Sequence, residues 1–456
     1  MKDDRLLSRR TMLRGIGAAA LAGGTVGGAA ALAGCAPSAS TNQQPLGTPS
    51  FSAPPAGEVT IWDRSGDLYK VFDKAIASFT AKYPQVKVNH LAVDINAKLP
   101  STLISGAEVP DGAFYDDALI PGIAPQLFDL STLIEPYKKD IAPYKLGVVT
   151  VEGRVVAVPW DLDPGLLFYR ADLVEQAGVD PAKIATYDDL LAAARTVKGK
   201  FPASKPLHLE ANEYLSQLWL DMFVNQQGAA IVDSAGKLAV DTTPYRTALT
   251  WLDKVRAEDL GTLAKYFEPT DVNTLDNGTQ VFVPWAQWFV FGPQQLLKQT
   301  KGKWRATALP AWQAGGARGG VMGGSSFVIP AKAKNPQLAW LLYEHLTFSK
   351  TGYTAVYGPN DVYPGGINTS VPSYLPALSG EALFKPVAEL GGQDLWKVAT
   401  DAAKQVPGGY TIPVWWGKAV DYLGVNLQRM LNGQMSPDDV LSTSAQQIQK
   451  NLVDRP

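Results

Sequence analysis

The change of hydrophobic period between residues 58 and 91 constrains the fold of this chain more than any other feature. Glu58-Val-Thr-Ile-Trp62 reads as a strand, Leu68 to Tyr83 sets Val71, Phe72, Ala75, Ile76 and Phe79 at helical spacing, and Val86-Lys-Val-Asn-His-Leu91 returns to alternation. A strand, a helix and a second strand in that order commit the chain to an α/β layer architecture with a largely parallel sheet.

The same grammar continues. A helix is predicted near Ile95–Ser105, a strand at Gly112–Tyr115, strand material from Gly153 to Trp160, a strand at Leu166–Tyr169 and a short helix at Asp172–Ala177 closed by Gly178. Three strong amphipathic helices follow at Tyr187–Val197, Ala211–Asn225 and Tyr245–Glu258, with short strands at Val281–Pro284 and Ala306–Leu309. Helices at Pro336–Phe348, Val414–Leu431 and Pro437–Leu452 complete the chain, the last with a cap signal at Ser436 and Asp438. At 456 residues the chain exceeds what one core serves, so two or more domains are expected. With 41 basic against 43 acidic residues, bulk charge points to neither nucleic acid nor an anionic membrane surface.

Residues 1–34 read as a signal peptide: Lys2, Arg5, Arg9, Arg10 and Arg14 precede an uncharged small-residue run from Gly15 to Gly34. The seven glycines of that run make it a poor permanent span. Ser8-Arg9-Arg10-Thr11-Met12-Leu13-Arg14 resembles the twin-arginine export motif, an ordinary general-secretion region being the alternative. Cys35, the single cysteine, cannot form an internal disulfide. It ends Leu32-Ala33-Gly34-Cys35, which resembles the lipobox of bacterial lipoproteins; the resemblance implies cleavage before Cys35 and its lipidation, anchoring the chain at the outer face of the cytoplasmic membrane. Residues 35–57, rich in Ser, Pro, Thr and Gln, then read as a flexible tether.

Pro159-Trp160-Asp161-Leu162-Asp163 followed by Phe168-Tyr169-Arg170-Ala171-Asp172-Leu173, then Val281-Phe-Val-Pro-Trp285-Ala-Gln-Trp288, then Met322-Gly-Gly-Ser-Ser-Phe-Val-Ile329 before the Pro336 helix, resemble the motifs of family 1 extracellular solute-binding proteins, the group that includes the maltose/maltodextrin-binding proteins. Arg170-Ala171 departs from the family's usual Asn-Lys. The resemblance implies a two-lobe periplasmic-binding-protein-like α/β fold with discontinuous lobes and a hinged central cleft. One lobe is expected from 58–163 and 319–365, the other from 164–318 and 366–456. It also implies a binding protein, not an enzyme, that captures a sugar or related polar solute and delivers it to ABC permease subunits, with a monomer as the default state.

A sugar presents hydroxyls and apolar C–H faces, so its site needs carboxylates or amides together with flat aromatic rings. Ligands of open α/β sheets sit beyond the carboxyl ends of strands, which singles out Trp62, Asp63, Asp116, Asp117, Trp160, Asp161 and Asp163. Helix capping competes as a use for Asp116 and Asp117, and turn formation for Asp161 and Asp163. Trp285 and Trp288 are predicted at a helix start, and Trp415 and Trp416 lie where the family places an aromatic platform; core packing competes for all four. Trp251 and Trp340 read as core, and Trp219 as either. Gly323, Gly324 and Ser325 can offer backbone amides and a hydroxyl, although glycine pairs also make turns.

A secreted carbohydrate-active hydrolase is the rival class, since Asp161 and Asp163 on one extended segment would point the same way about 7 Å apart, near the spacing of an inverting pair. A surface adhesin or structural lipoprotein is the third. His90, His208 and His345 are scattered without partners at metal spacing, so neither metal nor cofactor is expected.

Overall fold

The computed structural model describes residues 45–64, 66–379 and 382–454. The signal peptide and Cys35 lie outside them, as do the first residues of the expected tether. In its described part that tether is tied down: the Leu46 N–H donates to the Asp129 carbonyl at 2.9 Å and the Leu46 side chain is buried in the core. Among the described residues no helix is long and apolar enough to cross a membrane.

Two five-stranded mixed sheets organise the chain. In the first, strand Gly57–Arg64 lies between Val86–Val93 and Gly112–Asp116, parallel to both, and Ser325–Val328 runs antiparallel between Gly112–Asp116 and Ala157–Pro159. In the second, Leu207–Glu210 is parallel to Gly261–Ala264 and Phe282–Ala286, while Gly165–Arg170 runs antiparallel between Phe282–Ala286 and Trp304–Ala308. Each sheet has its own hydrophobic core. One gathers Val59, Phe72, Phe114, Trp160 and Phe327, the other Phe168, Trp219, Trp251, Phe282 and Trp304.

Periodicity places most elements within a few residues. The first helix spans Asp67–Lys82, the next Ile95–Ser105, and Pro336–Phe348 is as expected. The Ser436 hydroxyl caps Pro437–Ile448 by accepting from the Asp439 N–H. The strand expected from Gly153 to Trp160 is broken. Glu152 and Gly153, at φ 51° and 78°, turn a two-residue hairpin between Thr150–Val151 and Arg154–Val155, and only Ala157–Pro159 joins the large sheet. The helix expected at Trp285 is absent too. Trp285 belongs to strand Phe282–Ala286, paired with Leu166, because Val281 to Trp285 is long enough to cross the second sheet.

Three segments pass between the sheets side by side. Val371–Pro372 pairs antiparallel with Asp161–Leu162, Pro164 bridges Val321, and the Met322 N–H donates to the Asp163 carbonyl at 3.2 Å. The cavity opens beside these crossings.

Candidate functional site

The cavity is about 280 Å³, at the small end of the roughly 300–1,000 Å³ usual for ligand sites. Arg64, Leu68 and Asp116 enter it from the first sheet's side, and Tyr214, Leu218, Tyr266, Trp288 and Phe291 from the second. The crossing segments supply Asp161, Asp163, Gly323, Gly324, Ser325, Thr369 and Ser370.

The two sides touch through polar groups. Arg64 Nη2 pairs with Asp116 Oδ1 at 2.6 Å and donates to Ser325 Oγ at 3.1 Å, while Asp116 Oδ2 accepts from Tyr214 Oη at 3.3 Å and Asn96 Nδ2 at 3.0 Å. Asp116 thus links the first sheet to helix Glu213–Asn225 of the other side, with no capping bond to the turn that follows.

Beneath the crossings lies a buried ionic knot. Lys145 Nζ donates to Asp117 Oδ2 at 2.5 Å, Asp161 Oδ1 at 3.3 Å and the Ser325 carbonyl at 2.8 Å. Ser326 Oγ donates to Asp117 Oδ1 at 2.6 Å, and the Ser325 N–H to Asp161 Oδ1 at 2.7 Å. Burial opposes the ammonium, but Asp117 and Asp161 outweigh it and hold Lys145 above the ordinary lysine value. Gly324 allows this geometry: its φ is 112°, and a Cβ there would stand 2.4 Å from Asp117 Oδ2. Burial, reinforced by the neighbouring Asp161, pushes the Asp163 carboxyl well above the usual carboxylate range.

Arg64 Nε, Asp163 Oδ1 and Thr369 Oγ1, all on this wall, are buried polar atoms with no hydrogen-bond partner among the described residues. Buried polar atoms are nearly always satisfied, so such a cluster on a cavity marks where a ligand or water completes the bonding. Facing it is an aromatic wall. Tyr266 stacks on Trp285 at 4.9 Å and 9°, and Trp288 meets Tyr266 edge-on at 4.8 Å and 88°.

Of the residues singled out from sequence, Asp116, Asp161, Asp163, Trp288, Gly323, Gly324 and Ser325 line this cavity. Others lie behind it. Trp62 and Asp63 are buried in the first sheet, the ring under the Lys98 ammonium and the carboxylate accepting from the Arg64 N–H; the strand runs on to Arg64, which takes the position at its carboxyl end. Trp160 packs among Phe72, Phe114 and Tyr357 in the first core. Asp117 is spent on Lys145 and Ser326. Trp285 is fully buried behind Tyr266. Trp416 is buried, donating from Nε1 to Asp221 at 2.7 Å and backing the Tyr214 ring, while Trp415 is half-buried on a separate groove with Leu119 and Leu452. Trp219, Trp251 and Trp340 are core residues.

The sequence profile of the bacterial extracellular solute-binding proteins matches residues 63–352. The chain belongs to that family. As a member it is 27% identical over 308 residues to the arabinooligosaccharide-binding protein of Bacillus subtilis (strain 168), covering 64% of this chain and 69% of that protein. It is 27% identical over 374 residues to the lactose-binding protein of Rhizobium radiobacter, covering 77% and 83%. Among solved structures, the galacto-N-biose-/lacto-N-biose I-binding protein of the ABC transporter from Bifidobacterium longum, in complex with lacto-N-biose, matches with a TM-score of 0.71 at 19% identity over 88% of this chain and 98% of that one. At that identity the likeness is one of fold: two sheet-containing lobes flanking a cleft.

Arg64, Tyr214, Tyr266, Phe291 and Thr369 escaped the sequence reading of this solute-binding chain. Arg64 stands two residues past Trp62 and Phe291 three past Trp288, so extending the strand and the turn would have reached them. Tyr214, in the first turn of helix Glu213–Asn225, and Tyr266, just after a short strand, carry no local signal.

Proposed function

We propose that this chain is the exported substrate-binding component of an ABC-type importer and captures a small carbohydrate in the cavity between its two lobes. The observation that carries the reading is the pairing, on one small cavity, of unpartnered buried polar atoms with flat aromatic faces. Arg64 Nε, Asp163 Oδ1 and Thr369 Oγ1 match the hydroxyls of a sugar, and Tyr266 and Trp288 match its C–H faces. The sugars named for the relatives support the same class.

In this reading the lobes, 58–163 with 319–365 and 164–318 with 366–456, close about the three crossings, and the closed form engages the permease. Lipidation of Cys35 anchors the protein, which acts as a monomer. Capture without turnover is favoured over hydrolysis because Asp161 Oδ1 is already held by Lys145 and the Ser325 N–H, which ties that carboxylate into the buried ionic knot.

A thermal-shift screen of residues 36–456 against mono-, di- and oligosaccharides tests this, since a ligand of the native state raises the melting temperature. A reproducible rise with one sugar class and no product on long incubation is expected. No shift with any sugar would move the site to non-sugar solutes, and product would favour the hydrolase.

A further inference from the structure

Behind the aromatic wall lies a charged cluster unused by the reading above. His208, on strand Leu207–Glu210, is buried between two buried carboxylates: Nε2 is 3.4 Å from Glu210 Oε2, and Nδ1 is 3.5 Å from Asp271 Oδ1 and 3.0 Å from Gln280 Oε1. Both carboxylates reach past it to one short stretch of backbone. Glu210 Oε2 accepts from the Tyr266 N–H at 3.2 Å, and Asp271 Oδ2 from the Phe267 N–H at 2.9 Å.

That stretch needs holding. Phe267 sits at φ 54°, an unfavourable left-handed conformation for an aromatic residue, and its ring occupies space that a Cβ on Gly292 would fill, 2.3 Å from its Cζ. The result of the strained turn is that Tyr266 faces the cavity while stacked on Trp285. The His208 ring in turn abuts Trp285 edge-on at 5.2 Å and 89°. The imidazole is therefore linked to the platform twice, directly through the Trp285 ring and, by way of Glu210 and Asp271, through the backbone that carries Tyr266.

We propose that His208 is a positioning residue for ligand binding: its imidazolium lies between Glu210 and Asp271 and offsets their repulsion, and these carboxylates fix the Tyr266–Phe267 turn and so aim the aromatic wall into the cavity. The proposal rests on that cavity being the ligand site. The charge logic is direct. Two buried carboxylates sharing one neighbourhood repel unless a cation lies between them, and removing the cation leaves an uncompensated buried charge. Helix Glu213–Asn225 and strand Phe282–Ala286 present the uncharged rings of Trp219 and Trp285 to the imidazole.

Hydrogen exchange of the mature chain tests the positioning without any sugar, and lactose titration tests its consequence. His208→Gln is expected to speed exchange at the Tyr266 and Phe267 amides by about tenfold or more while helix Pro336–Phe348 in the other lobe stays protected. Adding Asp271→Asn, which removes one carboxylate charge but keeps an acceptor for the Phe267 N–H, should restore most of that protection, and lactose affinity should fall and recover in parallel. Unchanged exchange at these amides in His208→Gln would overturn the proposal, as would loosening spread evenly over the second lobe that the double variant does not reverse. If His208→Gln does not fold, recovery of a folded chain by the double variant supports the charge-balance role, and failure of both overturns it. A wild-type chain that does not bind lactose counts against that sugar, while the exchange result still decides the role of His208.

Discussion

The Tyr266 phenol lies flat on the Trp285 indole, ring centroids 4.9 Å apart and planes 9° from parallel, with only the tyrosine reaching the cavity. One ring lines the cavity and the other backs it, so the two substitutions should separate. Tyr266→Ala should weaken sugar binding about tenfold or more with a small change in melting temperature, since stacking contributes about 0.5–1.5 kcal/mol beyond buried area. Trp285→Ala should cost about 3–5 kcal/mol of stability and weaken binding as well. Calorimetric titrations and melts on both variants check the separation; equal stability losses would place Tyr266 in the core.

Asp163 holds its proton more tightly in the folded chain than in the unfolded one, because burial and the adjacent Asp161 disfavour its charge. Folding therefore gains from this group on acidification and loses as pH rises above about 4, the ordinary carboxylate value. Asp163→Asn should raise the ligand-free melting temperature at neutral pH, with a gain that shrinks toward pH 4, while sugar affinity falls. Melting curves across that range, with and without sugar, read both effects.

Lys145 is the cation that compensates Asp117 and Asp161. Lys145→Met should destabilise the chain by about 3–5 kcal/mol, since it leaves uncompensated buried charge. Combining it with Asp117→Asn should recover part of that loss, because the amide oxygen still accepts from Ser326. Urea midpoints of the two variants give the comparison; a single variant no weaker than the double would remove the knot from the stability account.

Burial pulls His208 down, but hydrogen bonds and charge from Asp271 and Glu210 outweigh it and raise its pKa from 6.5 to about 10. A raised folded-state value means that this stabilisation is complete below about pH 6.5 and is lost as pH climbs toward 10. The melting temperature of the wild type should therefore decline between pH 7 and 10 more steeply than that of His208→Gln, as scanning calorimetry over that range would register.

The features legible in the unfolded chain are local ones. The alternation of Val86–Leu91, the helical stripe from Val71 to Phe79 and the Ser436 cap are matters of backbone geometry within a few residues, and each marks an element of the fold. The polar side of the cavity was partly legible for the same reason, since Asp116, Asp161 and Asp163 stand at the ends of strands and next to turns. The aromatic side was not. Tryptophan suits a core and a sugar face equally, and Trp160, Trp285 and Trp416 differ from Trp288 only in what the distant chain lays over them. Tertiary structure alone decided that Tyr266 meets the cavity, through parallel pairing of Ala264 with Glu210 and the stack on Trp285. It also turned His208 from an isolated histidine into the centre of an ionic cluster. Membership of a site depends on contacts between residues far apart in the chain, and no local period encodes them.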